Sequence, residues 1–270
     1  MAARRLSLAA LTVLELSPAE MVTCAADAGY THVGLRLIPA TDREATWPIV
    51  GDTPLVREVE RRLGDTGIEV LDIEIFRIKP QTRIEDYRAA LETGARLGAR
   101  HALVAGNDPD ESRLTERFAA LCELGASLGL TVDLEPMPWT DARNLQQAAR
   151  VVANAGRPNG GVLIDAIHFD RGGNTAADIA SVPAAAFHYA QLCDAPAHRP
   201  TDTETLLYQA RAERLMPGDG GLDLKGILRA LPADLPLAIE IPMQQLARTV
   251  GAAERARRMR AKAEVLIASL

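Results

Sequence analysis

The sequence is poor in cysteine, in aromatic residues and in long apolar runs. Its three cysteines, Cys24, Cys122 and Cys193, are widely spaced and apolar in context, an odd set that makes neither a disulfide framework nor a zinc knuckle and that reads as a reducing compartment. No apolar stretch approaches the roughly 18 residues a membrane-spanning helix needs. Residues 1–16 start with Arg4 and Arg5 and turn apolar, but Ser7, Thr12 and Glu15 interrupt the run and no small-residue cleavage site follows. That segment reads as a strand rather than a signal peptide, and the protein as cytoplasmic. Positive charge is not in excess either: 30 Lys and Arg against 36 Asp and Glu leave a net charge of -6. Such a balance provides no global field for nucleic acid or an anionic membrane, so the expected partner is a small molecule, with homo-oligomer formation left open. No G-x-G-x-x-G joins a strand to a helix and no G-x-x-x-x-G-K-[ST] occurs, which removes the main support for a nucleotide-binding reading.

What is present is a globular composition, 47% hydrophobic and 24% charged over 270 residues, with a repeating order. Short runs rich in Leu, Val and Ile at 6–12, 32–37, 69–76, 101–105, 131–135, 161–165, 188–193 and 237–241 alternate with Ala-, Arg- and Glu-rich stretches of helical period. Ser17 with Pro18 and Glu20, Thr53 with Pro54, and Thr82 with Glu85 are helix-start signals. Gly29, Gly67, Gly98 and Gly129 precede strands where a left-handed residue can end a helix. Eight such units in a chain of this length predict one α/β domain over 1–270, a (β/α)8 barrel. Two connections are long, 39–53 with Trp47 and 194–221 with Arg199, Tyr208, Arg211 and Arg214. Both follow strands and so should form walls of the mouth.

In a barrel the strand ends converge, and here they are acidic: Glu74, Glu135, Asp165 (followed by His168), Gln191 with Asp194, and Glu240. Carboxylates gathered in a low-dielectric mouth repel one another unless a cation lies between them. The set Glu135, Asp165, Gln191 and Glu240 offers only oxygen ligands, which favours Mn2+ or Mg2+ and suits Co2+ or Zn2+ less well. Isolated acidic strand ends are more often caps or surface ion pairs, but independent capping would not select every strand of one barrel half.

The segments Leu134-Glu135-Pro136, Ile164-Asp165-Ala166-Ile167-His168-Phe169, Tyr189-Ala190-Gln191-Leu192-Cys193-Asp194-Ala195-Pro196 and Arg214-Leu215-Met216-Pro217-Gly218-Asp219-Gly220, with Glu240, carry a resemblance over nearly the whole chain. In order and spacing they resemble the xylose isomerase-like TIM-barrel superfamily, in its sugar phosphate isomerase/epimerase branch of inosose isomerases, hydroxypyruvate isomerases and ketose 3-epimerases. The resemblance implies a metal on Glu135, Asp165, Glu240 and the seventh-strand residue, with His168 touching a substrate oxygen. Gln191 departs from the histidine common at that position, and an amide carbonyl is the weaker donor to Zn2+ or Co2+.

Arg36, Glu74 and Arg77 at strand ends could hold a phosphate or carboxylate, or pair among themselves. Trp139 could wall an apolar pocket, Arg214 is a further substrate contact, and His32 and His101, which begin strands, read as structural. The expected activity is a metal-dependent isomerase or epimerase of a small sugar, sugar phosphate or cyclitol ketone. It runs through an enediolate, with Glu135 and Glu240 as the acid/base pair. A lyase or dehydratase acting through the same enediolate is the alternative. An abasic-site nuclease would need more histidines than the five present and a polyanion partner, and a sugar-binding barrel without catalysis is the non-enzymatic reading.

Overall fold

The protein is described by a computed structural model covering residues 4–270; residues 1–3 of the expected domain lie outside it. Nine strands form one parallel sheet: β1 (Leu6–Leu8), β2 (His32–Arg36), β3 (Glu69–Ile78), β4 (His101–Gly106), β5 (Thr131–Glu135), β6 (Gly160–Val162), β7 (Ile164–Asp165), β8 (Ala190–Leu192) and β9 (Leu237–Ile239). Their order is β6-β5-β4-β3-β2-β1-β9-β8-β7. The two ends of that order, β6 and β7, are the halves of the single sixth strand expected from the sequence, separated by Leu163. One half pairs with β5 and the other with β8, so the strand closes the barrel by changing partner midway.

Helices α1 (Pro18–Asp27), α2 (Pro54–Thr66), α3 (Arg88–Arg96), α4 (Glu111–Ser127), α5 (Leu145–Ala155), α6 (Ala166–Arg171), α7 (Thr203–Arg211), α8 (Leu224–Ala230), α9 (Gln244–Ala247) and α10 (Ala252–Ala268) connect the strands. None is long and apolar enough to cross a membrane. Ser17 and Glu20 form a reciprocal capping box on α1, and Thr53 accepts from the Val56 N–H to start α2. Gly67 ends α2 at φ 70°, a left-handed turn that only glycine makes without strain. The start expected at Thr82 differs. A 3-10 turn, Ile84–Tyr87, precedes α3 without a side-chain cap, because the Thr82 hydroxyl is used one turn earlier, donating to the Arg77 carbonyl at 3.1 Å and accepting from the Lys79 N–H at 2.9 Å.

The first strand is shorter than expected because the chain turns into a 3-10 segment, Ala10–Val13. There Thr12 donates to the Ile239 carbonyl at 2.8 Å and accepts from the Ile241 N–H at 2.9 Å, tying that turn to the last strand. The main apolar core lies between strands and helices. A smaller cluster, including Leu71, Ile75, Leu103, Met137, Leu163 and Tyr189, fills the barrel beneath the mouth. His32 and His101 sit at strand starts, where their Nδ1 atoms lie 2.7 Å from the hydroxyls of Thr31 and Thr131.

Candidate active site

A cavity of about 680 Å³ opens at the C-terminal ends of the strands. Glu74, Arg36, Arg77, Glu135, Trp139, His168, Arg214 and Glu240 all line it. The long connection after β2 contributes Thr41, Arg43, Glu44 and Ala45, and the one after β8 contributes Ala210, Arg211 and Arg214. Trp47, Tyr208 and Arg199 stay out of it: the first two are exposed, and Arg199 pairs with Asp170 at the surface.

Asp165 ends β7 and caps α6. Its Oδ1 accepts from the N–H groups of Ile167 and His168 at 2.9 and 3.1 Å, which fixes the carboxylate at the mouth and turns His168 toward it. The other oxygen receives Arg214 Nη1 at 2.6 Å. Arg214 spans the site: its Nη2 lies 2.8 Å from Glu240 Oε2 and 3.5 Å from His168 Nε2, while its Nε donates to the Ala210 carbonyl at 2.8 Å. A guanidinium thus lies where the sequence called for positive charge between carboxylates. The fork matches the two carboxylates with separate nitrogens, a geometry a lysine could not reproduce.

Ligand atoms of Glu135, Asp165 and His168 lie within 4.8 Å of one another. Glu240 is outside this trio, held by Arg214 on one oxygen and by Gln191 Nε2, at 3.0 Å, on the other. Gln191 therefore turns its N–H to a carboxylate, and its own Oε1 is buried without a hydrogen-bond partner. Two carboxylate oxygens, a buried neutral imidazole and an orphaned amide oxygen close by are a donor set that fits a divalent cation. Asp194 and His188, also on the β8 segment, are committed elsewhere. The Asp194 carboxylate accepts four backbone N–H groups, of Ala195, Gly218, Gly220 and Leu222, pinning the 217–221 turn. His188 Nδ1 is 2.6 Å from Asp133.

Burial pushes Glu135 well above the ordinary carboxylate range, with Asp165 and Glu240 adding to the shift and Arg214 opposing it. Burial also lifts Glu240, against the pull of Arg214, to about 8. It would lift Asp165 as well, but Arg214 and His168 hold that carboxyl below its usual value. His168 is lowered to about 4, chiefly by burial, and so is neutral near pH 7. The mouth therefore pairs an anionic Asp165 with two carboxyls that bind protons more readily than usual.

Arg36 is bound by Glu74 Oε1 at 2.9 Å and by both oxygens of Glu44 at 2.9 Å, so Arg36 and Glu74 pair with each other and with a loop residue. Sequence reasoning missed Glu44; a single acid in a long connection carries no periodic signal. It also missed Asp72, buried on β3 with neither oxygen hydrogen-bonded. Trp139 sets its ring edge-on to His168, with centroids 4.8 Å apart, and carries the Arg211 guanidinium over its face at 5.5 Å.

A family model described as xylose isomerase-like TIM barrel matches residues 22–266. In sequence the chain is similar to a 3-dehydroshikimate dehydratase of Pseudomonas aeruginosa, 29% identical over 201 residues, which covers 68% of this chain and 31% of that protein. The chain spans about a third of the length of the curated relatives it matches. In fold it is similar to the IolI protein, solved with a bound zinc atom, at a TM-score of 0.79 and 16% identity over 98% of both chains. D-allulose 3-epimerase from Methylomonas sp., in complex with D-allulose, follows at 0.70 and 15% identity, covering 97% of this chain and 96% of that one.

Proposed function

The chain belongs to the xylose isomerase-like TIM-barrel family, and from its site we propose that it removes a proton next to a carbonyl, isomerising or epimerising a small sugar, sugar phosphate or cyclitol ketone through an enediolate. One observation carries this reading: Glu135 and Glu240 are both buried in the mouth, and both have raised proton affinity. They come from β5 and the end of β9, which are not neighbours in the closed barrel: the split sixth strand and β8 lie between them one way round and β4, β3, β2 and β1 the other, so they approach a substrate from different directions. An acid and a base near neutral pH are what proton removal and return require.

A divalent ion held by Glu135, Asp165 and His168 would polarise the substrate carbonyl and so acidify the adjacent C–H. Glu135, protonated near neutral pH in the empty mouth, would be ionised by the charge of that ion and could then accept the proton from carbon, and Glu240, protonated below about pH 8, would give one back on the other side. Arg214 keeps Asp165 and Glu240 oriented, as an ion pair with the first and through its Nη2 contact with the second. His168, neutral and packed perpendicular to the Trp139 ring, would be the nitrogen ligand of that ion. Ile75, Leu103 and Met137 form the apolar floor that limits water around the intermediate.

Similarity to 3-dehydroshikimate dehydratases favours a second reading, in which the same enediolate expels a hydroxyl from the next carbon. Incubation of the Mn2+-loaded protein in deuterium oxide with ketoses, inososes and cyclic keto acids separates the two. Deuterium beside the carbonyl of recovered sugar supports isomerisation, and a conjugated product one water lighter supports elimination. Glu135→Gln, which keeps the shape but cannot take a proton from carbon, is expected to lower either by about 10²–10⁴-fold. Absence of both products and of any exchange across the panel overturns the proposal.

A further inference from the structure

Five of the seven arginines that line the cavity fall into two groups. Arg36, Arg214 and Arg255 each have a carboxylate partner: Glu44 and Glu74, Asp165 and Glu240, and Glu15. Arg43 and Arg248 are exposed at the rim, where water solvates them. Arg77 and Arg211 belong to neither group. Both line the cavity and are partly buried, and among the described residues neither has a carboxylate within 4.0 Å. Arg77, at the end of β3, donates one Nη1–H to the side-chain Oδ1 of Asn107 at 3.1 Å. Arg211, at the end of α7, makes no side-chain hydrogen bond and lies on the face of Trp139, 5.5 Å from its centroid. Burial lowers the pKa of both, and a neighbouring arginine lowers each further, Arg211 acting on Arg77 and Arg36 on Arg211, while the charge of Glu44 pulls both the other way.

Two like charges, partly desolvated and without a carboxylate in contact, cost folding free energy unless a ligand supplies the opposite charge. Water-exposed arginines elsewhere in the chain form i,i+3 or i,i+4 pairs with ease, as Arg61 does with Glu58 and Asp65, so acids are not scarce; they are withheld from this wall. We propose that Arg77 and Arg211 form the anion subsite of the active site, gripping a carboxylate or phosphate borne by the substrate at a fixed remove from the carbon that reacts. The stack Arg211–Trp139–His168 sets that remove, because Trp139 carries the cation on its face and packs perpendicular to the His168 ring. An anion on Arg211 would therefore register the substrate carbonyl against His168 and Glu135, whereas Arg36, already bound by two carboxylates, has no role in holding it. The planar forks of two arginines suit the oxygens of either anion.

This inference rests on the cavity being the substrate site, and its test is independent of turnover. Calorimetric titration uses quinate, a ring polyol with a carboxylate; glucitol 6-phosphate, a chain polyol with a phosphate; and myo-inositol, a neutral ring polyol. None offers a carbonyl to enolise. One of the two anions is expected to bind at least tenfold more tightly than myo-inositol, and which one does identifies the anionic group. Arg77→Gln and Arg211→Gln should each weaken that anion tenfold or more while leaving myo-inositol unchanged. Arg77→Lys and Arg211→Lys, which keep the charge, should recover part of the loss and guard against misfolding as its cause. Equal binding of neutral and anionic polyols, no binding of either anion, or anion affinity indifferent to both Gln variants overturns the subsite. The two proposals fail separately. Anion binding through the pair without deuterium exchange on any keto compound removes the proton-transfer reading alone, and Glu135-dependent exchange on neutral ketoses without anion binding removes the subsite alone.

Discussion

Arg214→Met removes the cation that bridges Asp165 and Glu240 and keeps most of the side-chain volume. Arg214 is 1% exposed and holds Asp165 Oδ2 at 2.6 Å and Glu240 Oε2 at 2.8 Å. Deleting one partner of a buried ion pair costs about 3–5 kcal/mol, since the charges left behind are neither solvated nor matched. At about 2–4 °C per kcal/mol for a domain near this size, the melting temperature of chelator-treated protein should fall by roughly 6–20 °C at pH 8. The deficit should also depend on pH. Arg214 lowers both carboxyl pKa values, so its loss raises them in the folded state. A carboxyl with a raised folded pKa contributes stability that is present at low pH and disappears as pH rises through that pKa, so the variant should trail the wild type less at pH 5 than at pH 8. Mn2+ should restore more of the loss in the variant than it adds to the wild type, because it resupplies positive charge at Asp165. Differential scanning calorimetry across pH with and without Mn2+ reads all three effects. A variant melting within 2 °C of the wild type at pH 8 would refute the reasoning, since the pair would then return no more than its own desolvation cost.

Three further outcomes are expected. Asp165→Asn should weaken Mn2+ binding more than Gln191→Ala in calorimetric titration, because it removes a charge while an asparagine can still cap α6 through the Ile167 and His168 N–H groups; the reverse ranking would take Asp165 out of the ligand set. Gly34→Ala should destabilise the barrel by about 1–3 kcal/mol in urea unfolding, since its Cβ would fall 2.8 Å from Asp72 Oδ1, and an unchanged midpoint would show that Asp72 moves freely. Burial lowers His101 from 6.5 to about 4, so as pH falls through 6.5 the unfolded chain takes a proton that the folded one refuses. About 3 kcal/mol of stability should be lost by pH 4, and His101→Gln should flatten that part of the pH–stability curve, while an identical slope would count against it.

Local chemistry determined much of this protein before any contact was known. The capping box of Ser17 and Glu20 and the left-handed Gly67 are readable because a helix end is settled by residues within one turn of it. The strand runs place Glu135, Asp165 and Glu240 at one mouth, because parallel strands joined by helices leave all their C-terminal ends on the same face. Tertiary structure decided the rest. The sixth strand splits at Leu163 because it must pair with β5 at one end and β8 at the other, a demand its own residues do not record. Glu44 reaches Arg36 from a connection without period, and Trp47 in the same connection does not reach the cavity. The amide of Gln191 donates to one oxygen of Glu240 while Arg214, from a segment more than 20 residues later, holds the other, a division no local pattern records. Sequence pattern reports which groups arrive at the mouth; how they share one another's charge depends on distances that only the closed barrel sets.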